Sequence, residues 1–235
     1  MNPLIVVTGG TKGIGRATIE NFAARGFDVA TCARSEADLQ KLKADIEQKY
    51  PAVRVFVQPC DFAQKADVLT FGRFITTLNR PVDVLINNAG IFAAGAIDSE
   101  PDGLLESLMA VNLYSVYHLT RALMPGMVAE RGGHIFNLCS IASVVAYPNG
   151  GSYCMSKFAL YGFTKVLREE LKPHGVRVTA VLPGATLTPS WDGVELPADR
   201  FIKASDVADS IAAAYLLSKN TVIEELILRP QLGDI

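Results

Sequence analysis

The run Thr8-Gly9-Gly10-Thr11-Lys12-Gly13-Ile14-Gly15 most constrains what this chain can fold into. The apolar stretch Leu4–Val7 leads straight into it, and an amphipathic stretch, Ile14–Ala24, follows. A strand that turns through glycines into a helix lets the backbone approach a pyrophosphate. The amide groups and dipole at the helix start suit that charge. The spacing is G-x-x-x-G-x-G, not the common G-x-G-x-x-G fingerprint, and no Lys-Ser/Thr pair closes it as in a P-loop. A glycine-rich turn that binds nothing is the competing reading.

The rest of the chain continues that opening. Apolar runs at Val29–Cys32, Val53–Val57, Val82–Ile86, Ile135–Cys139, Val176–Leu182 and Val222–Leu228 read as further strands. Between them lie helical patterns at Glu36–Lys49, Lys65–Leu78, Leu104–Ala129, Tyr153–Leu171 and Ser205–Leu217. Continuous apolar strands alternating with helices predict a sheet buried on both faces. No Pro-, Gly- or Ser-rich linker interrupts the pattern and no repeat is visible. The expectation is an α/β protein: one doubly wound Rossmann-type domain over residues 1–235, with a mostly parallel seven-stranded sheet.

Composition narrows the function. A chain of 235 residues that is 49% hydrophobic, with mean hydropathy +0.24, can bury a large core. A formal charge of −2 argues against nucleic-acid binding. No run reaches membrane-spanning length, and MNPLIVVTGG reads as a strand with no basic leader. Cys32, Cys60, Cys139 and Cys154 lack metal-ligand spacing. They read as buried thiols of a reducing, cytoplasmic compartment, with no metal site.

Ser140 to Lys157, SIASVVAYPNGGSYCMSK, is the candidate reaction centre. Ser140 ends an apolar strand, and Tyr153 and Lys157 share one face of the next helix. A phenol titrates near pH ~10 on its own, and a neighbouring ammonium would lower that value towards the working range. Ser140 would hold a carbonyl or alcohol oxygen beside the phenol. An amphipathic helix with a half-buried tyrosine and a solvated lysine has the same spacing, so the pair gains meaning only beside the glycine-rich start.

With these motifs in order, the chain resembles a classical short-chain dehydrogenase/reductase over nearly its whole length. TGxxxGxG is Thr8–Gly15, NNAG is Asn87-Asn88-Ala89-Gly90, and the helix asparagine is Asn112. The serine is Ser140, YxxxK is Tyr153 and Lys157, and PGxxxT is Pro183-Gly184 with Thr188. The resemblance implies that Ser140 orients the substrate oxygen and Tyr153 donates a proton as hydride arrives from a nicotinamide. Lys157 would tune the phenol and hold the nicotinamide ribose. Asn112 would interrupt its helix and hold a water linking Lys157 to solvent. Gly9, Thr11, Lys12, Gly13, Ile14 and Gly15 would cradle the cofactor. Asn88, Ala89, Gly90, Pro183, Gly184, Thr186 and Thr188 would line it, and Asp61 and Phe62 would meet the adenine, unless Asp61 is a helix cap.

Ala33 stands where NAD-using members carry a carboxylate, and Arg34 and Ser35 follow it. A guanidinium and a hydroxyl suit a 2′-phosphate, and Lys12 adds a second cation, so NADP(H) is expected over NAD(H). Trp191, Leu187 and Phe201 are candidate apolar walls for the substrate, and Tyr147 a further lining residue. Asp192, Glu195 and Asp199 read as a solvated loop, and His118, His134 and His174 as structural. The expected partners are a small carbonyl or alcohol substrate and a second copy of the chain, in a homodimer or homotetramer. Against this enzyme stands a sensor or scaffold that keeps the fold without catalysis. Such a chain would be expected to lose the tyrosine or lysine, and this one keeps both.

Overall fold

The computed structural model describes residues 1–191, 193 and 195–235. Its strands are β1 (Leu4–Thr8), β2 (Asp28–Ala33), β3 (Val55–Pro59), β4 (Val84–Asn87), β5 (His134–Leu138), β6 (Arg177–Pro183) and β7 (Glu225–Leu228). They form one parallel sheet in the order β3-β2-β1-β4-β5-β6-β7. The helices are α1 (Gly13–Ala23), α2 (Glu36–Lys49), α3 (Lys65–Thr77), α4 (Leu104–Met109), α5 (Ser115–Ala129), α6 (Gly151–Leu171) and α7 (Ala204–Leu216).

Alternation along β1 sorts the core into two layers. Ile5 and Val7 pack with Ile19, Phe22, Leu42, Ile46 and Ile211 from α1, α2 and α7. Leu4 and Val6 pack with Phe71, Ile75, Leu119, Leu123 and Leu167 from α3, α5 and α6. Successive strand side chains point to opposite faces, so an all-apolar strand needs cover on both sides. Phe22, Phe71 and Phe136 are fully buried, and each contributes ~1.5–3 kcal/mol by leaving water.

Two boundaries differ from the sequence reading in ways that matter. The helical pattern over 104–129 breaks into α4 and α5 around a π-helical turn, Ala110–Tyr114, that contains Asn112. Helix α6 begins at Gly151, so Tyr153 stands in its first turn. Because β2 and β4 lie on either side of β1, the chain crosses from one face to the other there. That switch point opens a crevice at the carboxyl ends of the strands.

Candidate active site

Every sequence-predicted site residue lies at the carboxyl ends of β1 to β6 or on the helices that follow. The glycine loop comes first. Gly13 has φ +54°, and a Cβ there would stand 3.0 Å from Thr188 Cγ2, so a glycine is required where the first loop meets the loop after β6. A Cβ on Gly15 would lie 2.4 Å from the Gly9 carbonyl oxygen, which closes the loop tightly onto α1. No side chain caps the start of α1, so its first amide groups face outward, as an anion cradle requires. Asn88 stitches this loop to the end of β4: its Nδ2 donates to Thr8 O at 2.8 Å and Gly9 O at 3.1 Å. Thr8 Oγ1 in turn accepts from the amides of Asn88 and Ala89, both at 2.9 Å.

A cavity of about 510 Å³ opens beside this loop. Ile14, Asn88, Gly90, Ser140, Tyr153, Lys157, Pro183, Gly184, Thr186 and Thr188, all predicted from sequence, line it. Gly9, Thr11, Lys12, Gly13, Gly15, Ala89, Arg34, Ser35, Asp61 and Phe62 are not among its walls. They belong to the neighbouring strand ends, β1 to β4.

Ser140 ends β5 and caps the short turn that follows: its Oγ accepts from Ala142 N at 3.1 Å. Its hydroxyl faces the cavity that the Tyr153 phenol also lines. Lys157 is buried, and its Nζ donates to Leu138 O at 2.8 Å and lies 5.9 Å from the centre of the Tyr153 ring. Here the electrostatics correct the sequence reading. Burial pushes the Tyr153 phenol above its ordinary value, and the neighbouring Ser140 hydroxyl offsets only part of that. Burial also lowers the Lys157 ammonium from 10.5 to about 8. A cation that is itself desolvated and bonded to a carbonyl does not pull the phenol down.

Asn112 is buried within the π turn. Its Oδ1 accepts from Ile91 N at 2.9 Å, and its Nδ2 donates to Ile91 O and Ser156 Oγ, both at 3.0 Å. The interruption of the helix is as expected, and the side chain anchors Ile91 to it. Around Gly90, the space a Cβ would fill is flanked by Asn112 Oδ1 at 3.2 Å and Lys157 Nζ at 3.6 Å.

At the β2 end, Arg34 is exposed. Ser35 Oγ accepts from Asp38 N at 3.2 Å, so this hydroxyl caps α2 with a lone pair and keeps its O–H to donate to an anion. Lys12 Nζ lies 3.9 Å from the Asp38 carboxylate, both well exposed. Asp61 Oδ1 accepts from Ala63 N at 3.0 Å in a local turn, and the N-cap of α3 is Gln64, which removes the helix-cap reading of Asp61.

Several lining residues escaped the sequence reading. Phe92 meets the Tyr153 ring edge-on at 4.8 Å and 85°. Ile91, Val145 and the chain end, Asp234 and Ile235, also border the cavity. Arg229 holds Asp234 at 2.7 Å. Position after NNAG was the one available cue for Ile91 and Phe92; nothing local pointed to Asp234. Of the predicted walls, Trp191 and Tyr147 line the cavity, and Phe201 packs behind Trp191 at 5.2 Å. Leu187 is exposed and is not one of the walls. Glu195 and Asp199 are exposed, and Asp192 lies outside the described residues. His134 is buried against Thr179 Oγ1 at 2.7 Å. The four cysteines are buried and free, and among the described residues no cluster suits a metal ion and no helix is long and apolar enough to cross a membrane.

Comparison with known proteins places the chain as a whole. A family model described as short chain dehydrogenase matches residues 3–197. The chain is 33% identical to the sepiapterin reductase of Chlorobaculum tepidum, across 100% of this chain and 99% of that protein. It superposes on the alcohol dehydrogenase from Thermococcus sibiricus, solved with 5-hydroxy-NADP, with TM-score 0.92 and 26% identity, covering 100% and 99% of the two chains. The L-sorbose reductase of Gluconobacter frateurii, solved with NADPH and L-sorbose, gives TM-score 0.87 and 26% identity over 97% and 95%.

Proposed function

The chain belongs to the short-chain dehydrogenase family, and from that premise we propose that it is an NADP(H)-dependent carbonyl reductase or alcohol dehydrogenase. Its substrate is a small ketone, 3-oxoacyl thioester or pterin-like carbonyl, or the matching alcohol. The observation that carries this reading is the meeting of Ser140, Tyr153 and Lys157 with Asn88, Gly90 and Thr188 on one cavity of about 510 Å³. Ile14 of the glycine loop and the proton-handling groups therefore border a single space.

When bound, NADPH supplies the hydride that reduces the carbonyl carbon. Ser140 holds the carbonyl oxygen, and Tyr153 passes its phenolic proton to that oxygen, so the product is the neutral alcohol. Burial keeps the phenol protonated at neutral pH, so the proton is in place, while making it a weaker acid that relies on its position beside the substrate oxygen. Lys157, lowered to about 8 and still an ammonium at neutral pH, then replaces that proton and regains its own from solvent in the open cavity. Asn112 holds the Ile91 backbone beside Gly90 and so shapes the wall nearest Lys157.

The glycine loop, the uncapped start of α1 and Asn88 suit a pyrophosphate, and Arg34 with Lys12 suits the 2′-phosphate of NADP(H). NADP-bound structural relatives support the same cofactor. We read residues 1–235 as one domain, working in the cytoplasm as a homodimer or homotetramer. The test is loss of NADPH absorbance over a panel of ketones, 3-oxoacyl thioesters and pterin-like carbonyls. Tight NADPH binding with no turnover on any of them would favour a sensor or scaffold.

A further inference from the structure

We propose that Glu100 is a positioning residue for this reaction: its carboxylate caps α6 from outside and so holds Tyr153 at the cavity. This inference rests on Tyr153 as the proton donor. The N-cap of α6 is Gly150, which has no side chain to satisfy the first amides of the helix. Glu100 supplies what is missing. Its Oε1 accepts from Ser152 N at 2.8 Å, and its Oε2 accepts from the Ser152 hydroxyl. Ser152 immediately precedes Tyr153, so the anion sits on the turn from which the phenol projects. A carboxylate at a helix N-terminus is favoured both by the free amides and by the dipole.

Two glycines make room for it. A Cβ on Gly151 would stand 2.1 Å from Glu100 Oε1, and one on Gly95 would stand 2.6 Å from Glu100 Cγ. The segment from Ile91 to Glu100 is pinned at three places. Ile91 is held by Asn112, Gly95 N donates to Asn149 O at 2.9 Å, and Glu100 grips Ser152. Phe92, on this segment, packs edge-on to the Tyr153 ring. Glu100 thus fixes both members of that aromatic pair, one through α6 and one through its own strand of chain.

The test compares Glu100→Ala, Glu100→Gln and Gly151→Ala for kcat, KM, NADPH affinity by fluorescence titration and the pH profile of kcat. Glu100→Ala should lower kcat about tenfold or more, because a small misplacement of a reacting group is costly. NADPH affinity, set at the far end of the site, should change by less than about twofold. Glu100→Gln keeps an acceptor for the Ser152 amide and should recover most of the loss. Gly151→Ala favours the helix by propensity yet displaces the carboxylate. It should reproduce the fall in kcat, and Glu100→Ala added to it should cost little more. Wild-type kcat in Glu100→Ala and Gly151→Ala, or NADPH affinity falling in step with kcat, overturns the proposal. A Tyr153→Phe variant run alongside separates the two readings. If it retains the wild-type rate, the catalytic assignment fails; if it collapses while Glu100→Ala does not, only the role of Glu100 fails.

Discussion

Lys157 and Tyr153 lie one turn apart on the same face of α6, yet the ammonium sits 5.9 Å from the phenol ring centre and is bonded to the Leu138 carbonyl. The two groups are therefore poised for different tasks: a phenol that keeps its proton, and a lysine that titrates near 8.

Tyr153→Phe keeps the ring and its contact with Phe92 but removes the proton. Turnover should fall by ~10²–10⁴-fold while NADPH binding persists. The measurement is steady-state kinetics beside a fluorescence titration, and a variant with most of the wild-type rate would remove Tyr153 from the mechanism.

Lys157 gives a stability signature with a definite sign. Its folded value of about 8 lies below the ordinary 10.5, so between those limits the unfolded chain binds more protons than the folded one. Stability in that window should rise with pH, and the burial cost is fully present below about 8. Lys157→Met should lose this slope, gaining ~1–3 kcal/mol relative to wild type at pH 7 but little near pH 10. Above pH 10 the raised Tyr153 phenol acts the other way: the unfolded chain ionises first and stability falls. Urea melts at a series of pH values from 7 to 10 are the check, and parallel profiles for the two proteins would contradict it.

Cofactor choice turns on Arg34 and Lys12. Charge-assisted hydrogen bonds contribute ~1.5–3 kcal/mol each, so NADPH should be preferred over NADH by about tenfold or more in kcat/KM. Ala33→Asp with Arg34→Ala should remove that preference. Because Ser35 caps α2 with a lone pair and keeps its O–H as a donor, Ser35→Ala should weaken the protein slightly and lower the preference by less than the loss of Arg34 does. Kinetics with both cofactors at moderate salt decide this, since exposed ion pairs are screened as salt rises. Equal efficiency in the wild type would make Arg34 an ordinary surface arginine.

Helices α5 and α6 with the turn before them expose Tyr114, Tyr117, Phe158 and Val166, the last at 57%. A second copy of the chain would cover this apolar surface. Light scattering at micromolar concentration should give at least twice the chain mass of 25.3 kDa, and Val166→Glu should lower it towards one chain. A wild-type monomer would show that this face needs no cover.

What could be read from the sequence alone was local or periodic. Alternating apolar runs and helical patterns require a parallel sheet covered on both faces, because each strand's side chains point both ways. Thr8–Gly15, Ser140, Tyr153 and Lys157 were identifiable because their spacing along the chain expresses their chemistry, and Asn88 through the family resemblance of its motif. Other features depend on contacts between distant residues, and no window of sequence contains them. Glu100 reaches Ser152 across 52 positions, and Asn112 grips Ile91 across 21. Asp234 comes to the cavity only because β7 lies beside β6. Tertiary structure also decided the electrostatics. Residue type and spacing predicted a phenol lowered by its lysine. Burial raises the one and lowers the other, since desolvation depends on what the fold places around a charge.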